Sequence, residues 1–317
     1  GRIMSFVDIP TRREVFEEEQ TLVGHTDEVN CVAQLNDGRV VSGSDDSVLI
    51  VWAAGGGGAF AAAQTLLGHT NIVRCVVQLD DGRLASGSDD KTLVVWAKGD
   101  DGMFAAAQTL TGHTDEVHCM VQLDDGRVVS GSRDKTLIVW AAGDNGAFAA
   151  AQTLSGHIRG VECLTHLGDG RIVSGGNDNM LIVWAMGDDG AFVATQTLSG
   201  HNGWVTCVAQ LDDRRIVSGS FDETLVVWAA GDDGAFMKAQ TLSGHTSYVH
   251  CMAQLDDGRL VSGSSDGTLI VWASGDDGAF AVAQTLAGHT EYVWCVAQLN
   301  DGRIASGGSD NTLKVWE

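Results

Sequence analysis

Apolar strands and turn residues follow one another along this chain in a single short pattern. In one stretch, Val73-Arg74-Cys75-Val76-Val77-Gln78-Leu79 is mostly apolar, and Asp80-Asp81-Gly82-Arg83 follows it. An Asp-Gly pair between two such runs marks a hairpin. Leu84-Ala85-Ser86-Gly87-Ser88 reads as a second strand, Asp89-Asp90-Lys91 as a tight turn, and Thr92-Leu93-Val94-Val95-Trp96 as a third strand. Gly99-Asp100-Asp101-Gly102 then turns the chain into Phe104-Ala105-Ala106-Ala107-Gln108-Thr109-Leu110. The pattern predicts a four-stranded antiparallel meander with short connections, and helical periodicity is absent. One such sheet cannot bury both of its faces, so neighbouring copies must pack face to face.

The copies return every 44 residues, seven times, without a slip. Gly-His opens each one, with the histidines at His25, His69, His113, His157, His201, His245 and His289. A Ser-Gly-Ser or Ser-Gly-Gly follows, beginning at Ser42, Ser86, Ser130, Ser174, Ser218, Ser262 and Ser306. Four residues later comes an aspartate: Asp46, Asp90, Asp134, Asp178, Asp222, Asp266 and Asp310. Six further on stands a tryptophan: Trp52, Trp96, Trp140, Trp184, Trp228, Trp272 and Trp316. A fixed period of this length signals a repeat architecture. No linker, charge run or proline-rich stretch interrupts it, so the 317 residues read as one closed object rather than two domains.

On these motifs the chain resembles the WD40-repeat β-propeller family over nearly its whole length. Trp is followed mostly by Ala where the family has Trp-Asp. The resemblance implies an all-β fold, a single seven-bladed β-propeller with four-stranded antiparallel blades. One residue remains after Trp316, so the last copy lacks its fourth strand. Phe16 lies 44 residues before Phe60, and Gln20-Thr21-Leu22 repeats Gln64-Thr65-Leu66. Residues 13–22 are therefore expected as the outer strand that completes the last blade, within a propeller spanning 13–317. Closure from the N-terminus resembles the family's clasp and removes two exposed sheet edges. Residues 1–12 are expected as an N-terminal extension.

The family resemblance also implies that each His, Ser, Asp and Trp set is a buried relay. Trp N–H bonds Ser, Ser bonds His, and His bonds Asp, so the donors and acceptors close on one another. These sets look like a hydrolase triad, but seven identical catalytic centres are implausible and the Gly-x-Ser-x-Gly elbow is absent. No catalytic residue is assigned, and no enzyme is expected.

Composition narrows the partners. The net charge of −23 opposes nucleic acid and anionic membranes and leaves basic peptides or basic protein patches as favoured partners. With 44% hydrophobic residues but only 6% aromatic, the core must be built from Val, Leu, Ile and Ala. The apolar runs fall short of the roughly 18–20 residues that span a bilayer, and residues 1–20 do not read as a signal peptide. One cysteine per copy, seven in all, is not a disulfide framework. These read as small buried hydrophobes, which fits a reducing compartment, cytoplasm or nucleus. His118-Cys119 and His250-Cys251 place adjacent residues on opposite strand faces, so neither pair chelates a metal. The acidic bottom turns read as solvated surface, since none spaces its carboxylates as a dedicated calcium loop does. No cofactor and no metal is expected.

Candidate function lies where the copies differ. Three and five residues after each His they read Glu28/Asn30, Ile72/Arg74, Glu116/His118, Gly160/Glu162, Trp204/Thr206, Tyr248/His250 and Tyr292/Trp294. By family geometry these surround the mouth of the central channel on the top face, as does the variable residue before each relay Asp, including Phe221. The fifth to seventh copies thus bring Trp204, Phe221, Tyr248, His250, Tyr292 and Trp294 to one arc, and earlier copies add Glu28, Glu116 and Glu162. Aromatic faces beside carboxylates suit a cationic side chain. The expectation is a non-enzymatic protein–protein interaction scaffold, a monomeric propeller alone or within a larger complex, that binds a peptide or protein with basic residues there. The alternatives are an architectural subunit, or a regulatory propeller of a longer signalling or ubiquitin-pathway protein. The fourth copy departs most, with Ile158, Arg159, Thr165-His166 and Met180. The outer strands carry alanine runs with little charge to deter edge pairing.

Overall fold

Twenty-eight strands lie among the described residues, 15–317 of the computed structural model, and they form seven four-stranded antiparallel sheets. The first strand, β1 (Glu18–Val23), pairs with the last, Thr312–Trp316, rather than with its sequence neighbours. The next four make a meander in chain order: β2 (Val29–Gln34), β3 (Val40–Ser44), β4 (Leu49–Ala54) and β5 (Phe60–Leu66). Five further blades repeat that order, and the seventh is Val293–Gln298, Ile304–Gly308, Thr312–Trp316 and β1. The fold is thus an all-β seven-bladed propeller closed by its N-terminal strand. The closing segment is in place from Phe16 onward, and Glu17 and Glu317 exchange backbone hydrogen bonds of 2.9 Å. The expected extension, 1–12, and residues 13 and 14 lie outside the described residues.

Each strand's composition follows from its depth. β3 is buried at all five positions, so it tolerates no charge, and its serines need internal partners. A Cβ on Gly43 would stand 2.6 Å from the Val73 side chain of the next blade and 2.7 Å from Cys31 Sγ. The Gly of Ser-Gly is therefore the point where two sheets meet. In the Asp-Asp-Gly-Arg turn, Gly82 takes φ +87° and closes a hydrogen bond to Leu79, a left-handed position that glycine fills without strain. Arg214 takes the same position in the fifth copy at φ +69°.

The core lies between blades. Leu35, Val41, Leu49 and Leu66 of the first blade pack against Val73, Leu84, Trp96 and Phe104 of the second. The last blade meets the first in the same way, with Leu22, Leu299 and Leu313 against Val40, Trp52 and Phe60. All seven cysteines are free; Cys75 is half-buried and the others are buried in these seams. Burial pushes the thiols of Cys31 and Cys207 up to about 12.

Two polar ties also cross every seam. A glutamine of each outer strand brackets the next blade's phenylalanine: Gln64 Nε2 donates to Phe104 O at 2.6 Å, and Phe104 N donates to Gln64 Oε1 at 2.9 Å. The same bracket joins Gln284 to Phe16 across the closure. The turn arginines lie 4.8–5.2 Å over these phenylalanine rings, Arg39 on Phe104 and so on round to Arg303 on Phe60. Each is also ion-paired with the aspartate two residues before it, as Arg39 is with Asp37 at 2.8 Å. In Asp37 that bond, with Lys98 adding to it, holds the carboxyl well below the usual carboxylate range.

Candidate interaction surface

The repeated polar sets are closed. In the fifth blade Trp228 Nε1 donates to Ser218 Oγ at 2.9 Å, Ser218 Oγ lies 2.8 Å from His201 Nε2, and His201 Nδ1 lies 2.9 Å from Asp222. The other six copies repeat this chain with the same partners, and every relay serine is fully buried. Burial pushes the pKa of His25, His113 and His245 down, against the pull of their aspartates, so these rings stay neutral at pH 7. The pKa of Asp222 also falls, for a different reason. Burial raises its pKa, but bonds from His201, Thr224 and the Asn202 N–H outweigh this and hold it well below the usual range. A serine sealed between an indole and an imidazole offers no path to a substrate. The threonine hydroxyl two residues past the Asp is a further partner in five copies, as in Thr224 Oγ1 to Asp222 Oδ1 at 2.7 Å; Val48 and Met180 remove it from the first and fourth.

The variable residues are aimed by a bulge. In every innermost strand the register slips between the Val and the Cys, as between Val29 and Cys31. The skipped residue is the variable one: Asn30, Arg74, His118, Glu162, Thr206, His250 or Trp294. A bulge leaves its extra residue out of the ladder and redirects its side chain. Innermost strands of successive blades adjoin one another, so these seven side chains encircle the channel.

The ring of variable residues divides into two arcs. On one side the aromatics touch in sequence. Trp204 stacks on Phe221 with centroids 5.1 Å apart, and Phe221 stacks on Tyr248 at 4.4 Å. Phe221 also meets His250 edge-on at 5.3 Å, and His250 lies 4.1 Å from Trp294, which contacts Tyr292 at 5.9 Å. Trp294 Nε1 donates to Glu28 Oε2 at 2.8 Å and to Ser309 Oγ at 2.7 Å. Tyr248 and Tyr292 are 47% and 46% exposed, whereas His250 is 9% exposed and bonded to Ser265. Burial pushes His250 down to about 4, so it is a neutral support beneath the rings rather than a contact surface.

On the other side the charges are already matched. Arg74 holds Asp89 through two bonds of 2.9 and 2.8 Å. His118 lies 2.6 Å from Glu162 and 3.2 Å from Glu116, and Arg133 reaches Glu116 at 2.6 Å. Burial pushes the His118 pKa down, but its bonds to Glu162 and Glu116 outweigh this and raise it. Glu116 is held by His118 and Arg133, Glu162 by His118, and Glu28 adjoins the aromatics through Trp294. Asp89, Glu116 and His118 offer ligand atoms within 4.8 Å of one another. The guanidinium groups on both carboxylates already neutralise that cluster.

The aromatic arc continues into a cleft of about 740 Å³ across the fourth to sixth blades, lined by Ile158, Arg159, Asn177, Trp204, Phe221 and Tyr248 among others. On the opposite rim a second cleft, of about 590 Å³, lies at the closure seam beside Phe16, Gly57, Gly58 and Arg303. The tetraglycine turn of the first copy supplies part of its wall.

The fold has a known counterpart. The crystal structure titled "Crystal structure of WD40 beta propeller domain of Doa1" superimposes with a TM-score of 0.80, at 24% identity, covering 95% of this chain and 97% of that one. At that identity the likeness speaks for the fold. No curated protein matches the sequence. The family described as "WD domain, G-beta repeat" matches seven segments, residues 16–53, 61–97, 105–141, 149–185, 192–229, 237–273 and 280–317. Seven matches, one per blade and together covering most of the chain, show that it belongs to the WD40-repeat family.

Proposed function

We propose that this propeller is a non-enzymatic scaffold whose top face binds a peptide or protein segment presenting arginine or lysine at the channel mouth. WD40 propellers are typically protein–protein interaction modules, and the finer reading rests on one observation. The aromatic chain from Trp204 to Trp294 is continuous, half-exposed at Tyr248 and Tyr292, and ends on the carboxylate of Glu28. Each cation–π contact there is worth about 0.5–2 kcal/mol, and tryptophan and tyrosine are the residues that most often anchor interfaces. The net charge of −23 speeds encounter with a basic partner. The fully or largely buried free thiols support the cytoplasm or nucleus as its setting.

The test is Trp204→Ala combined with Trp294→Ala, with folding checked by circular dichroism. Binding of Lys- and Arg-rich peptides is then measured against the unaltered protein. Loss of binding supports the reading; undiminished binding by a folded variant removes it. A second reading, an architectural subunit docked by its rim, draws support from Val193, Met237 and Val282, exposed on the outer strands. Crosslinks confined to those strands in native extract favour it over the first.

A further inference from the structure

The fourth copy breaks the repeat in a way that the channel mouth does not use. Where other copies place Thr or Asn and then Asp, Asn, Gly, Ser or Glu after the relay His, this one places Ile158 and Arg159. Both line the cleft of about 740 Å³ beside Trp204, Phe221 and Tyr248. Ile158 is 75% exposed. Arg159 is exposed, and its side chain has no ion pair or hydrogen bond among the described residues; the side chains of Lys135 and Arg214 share that state, but Arg159 is the one that lines the cleft. An unpaired cation in a chain with 42 acidic residues is a local departure from its own charge balance. Asn177 lines the same cleft at 8% exposure, and its amide bonds the Glu162 carboxylate. The apolar wall is preassembled: Trp204, Phe221 and Tyr248 stack with interplanar angles of 18° and 11°.

We propose that this cleft binds a peptide segment carrying an acidic side chain next to an aliphatic or aromatic one. The carboxylate pairs with Arg159, and the apolar side chain packs between Ile158 and the ring wall. A carboxylate suits the cleft better than a phosphate. Arg159 is the sole cation among the lining residues, and Asp178 lines the cleft too, so a dianion meets one positive charge and one negative. The inference shares Trp204, Phe221 and Tyr248 with the proposed channel-mouth site and rests on that reading for the choice of face.

The repeat itself supplies variants that fold. Arg159→Asp installs the residue that stands at Asp27 and Asp115, and Phe221→Ser the residue that stands at Ser265 and Ser309. The probe is a displayed library of random heptapeptides, selected on the unaltered protein and on each variant, followed by titration of the enriched peptides. The expected result is enrichment of Asp or Glu beside Leu, Phe, Tyr or Trp, with affinity falling about tenfold or more in both variants. Replacing the acidic residue by Lys should restore binding to Arg159→Asp. The proposal is overturned if no peptide is enriched or the enriched ones lack an acidic residue. It is equally overturned if Arg159→Asp changes affinity less than twofold, or if phosphoserine binds much more tightly than Glu. Trp294→Ala separates the two sites. If it leaves basic residues selected as before, the mouth reading fails while the Arg159 result stands, and the converse outcome condemns the cleft alone.

Discussion

Replacing one relay serine tests the claim that the repeated Ser-His-Asp sets are structural. In Ser218→Ala the hydroxyl that accepts from Trp228 Nε1 at 2.9 Å and lies 2.8 Å from His201 Nε2 is lost. No water can replace it, because the site is fully buried. One indole donor and one imidazole acceptor are left unpaired, each costing about 1–3 kcal/mol, so the variant should lose about 2–6 kcal/mol. Urea unfolding followed by far-ultraviolet circular dichroism measures this by linear extrapolation. The second half of the experiment places the same change in a Trp228→Phe background. There the indole donor is already gone, so Ser218→Ala orphans only His201 and should cost about 1–3 kcal/mol less than before. A loss below about 0.5 kcal/mol, or an equal loss in both backgrounds, would refute the closed relay. The same serine should also resist a fluorophosphonate probe in the folded protein, because no face of Oγ is open.

Four further outcomes follow from the geometry. Deleting residues 1–22 removes Phe16 and Leu22 from the core and leaves the strand Thr312–Trp316 unpaired, so cooperative thermal unfolding should disappear; an unchanged melting curve contradicts the closure. Burial lowers the folded pKa of His250 to about 4, so between about pH 6.5 and 4 the unfolded chain binds the extra proton and stability falls as pH falls. His250→Asn, the residue present at Asn30, should flatten that acid limb by about 3 kcal/mol at most, as read from urea titrations at several pH values. The thiols should react with Ellman's reagent only on unfolding, Cys75 first, since burial raises their pKa values and hides them; prompt labelling of Cys31 or Cys207 would contradict the seam packing. Arg214→Gly should stabilise the protein by about 0.5–1 kcal/mol by relieving a left-handed φ of +69°, again by urea unfolding.

The fold was legible because the period carries it. Gly-His, Ser-Gly, Asp and Trp recur in one register, and the offset of Phe16 from Phe60 locates the closing strand without any coordinates. The aromatic arc was legible for the opposite reason: its members break the repeat. What could not be read were contacts that cross from one copy to the next. The pairing of His118 with Glu162 joins two blades through the bulge, and nothing in either copy alone signals it. Arg133 likewise looks like a surface residue until the fold sets it beside Glu116. The glutamines and turn arginines were visible in every copy, yet their target, the next blade's phenylalanine, lies about 40 or more residues away along the chain. His250 shares a position with Trp294, yet its burial depends on which rings lie above it.

The glutamine bracket on each neighbouring phenylalanine has a consequence for where the chain begins. The joint between Gln284 and Phe16 uses the same two hydrogen bonds as the joint between Gln108 and Phe148, although one crosses the termini and the other does not. Every seam is held by the same side chains, so none depends on the peptide bonds that happen to run beside it. The molecule is in this sense a bracelet of seven like clasps, one of which has no thread through it. Circularly permuted chains, opened between any third and fourth strand and joined across the old ends, should close into the same disc.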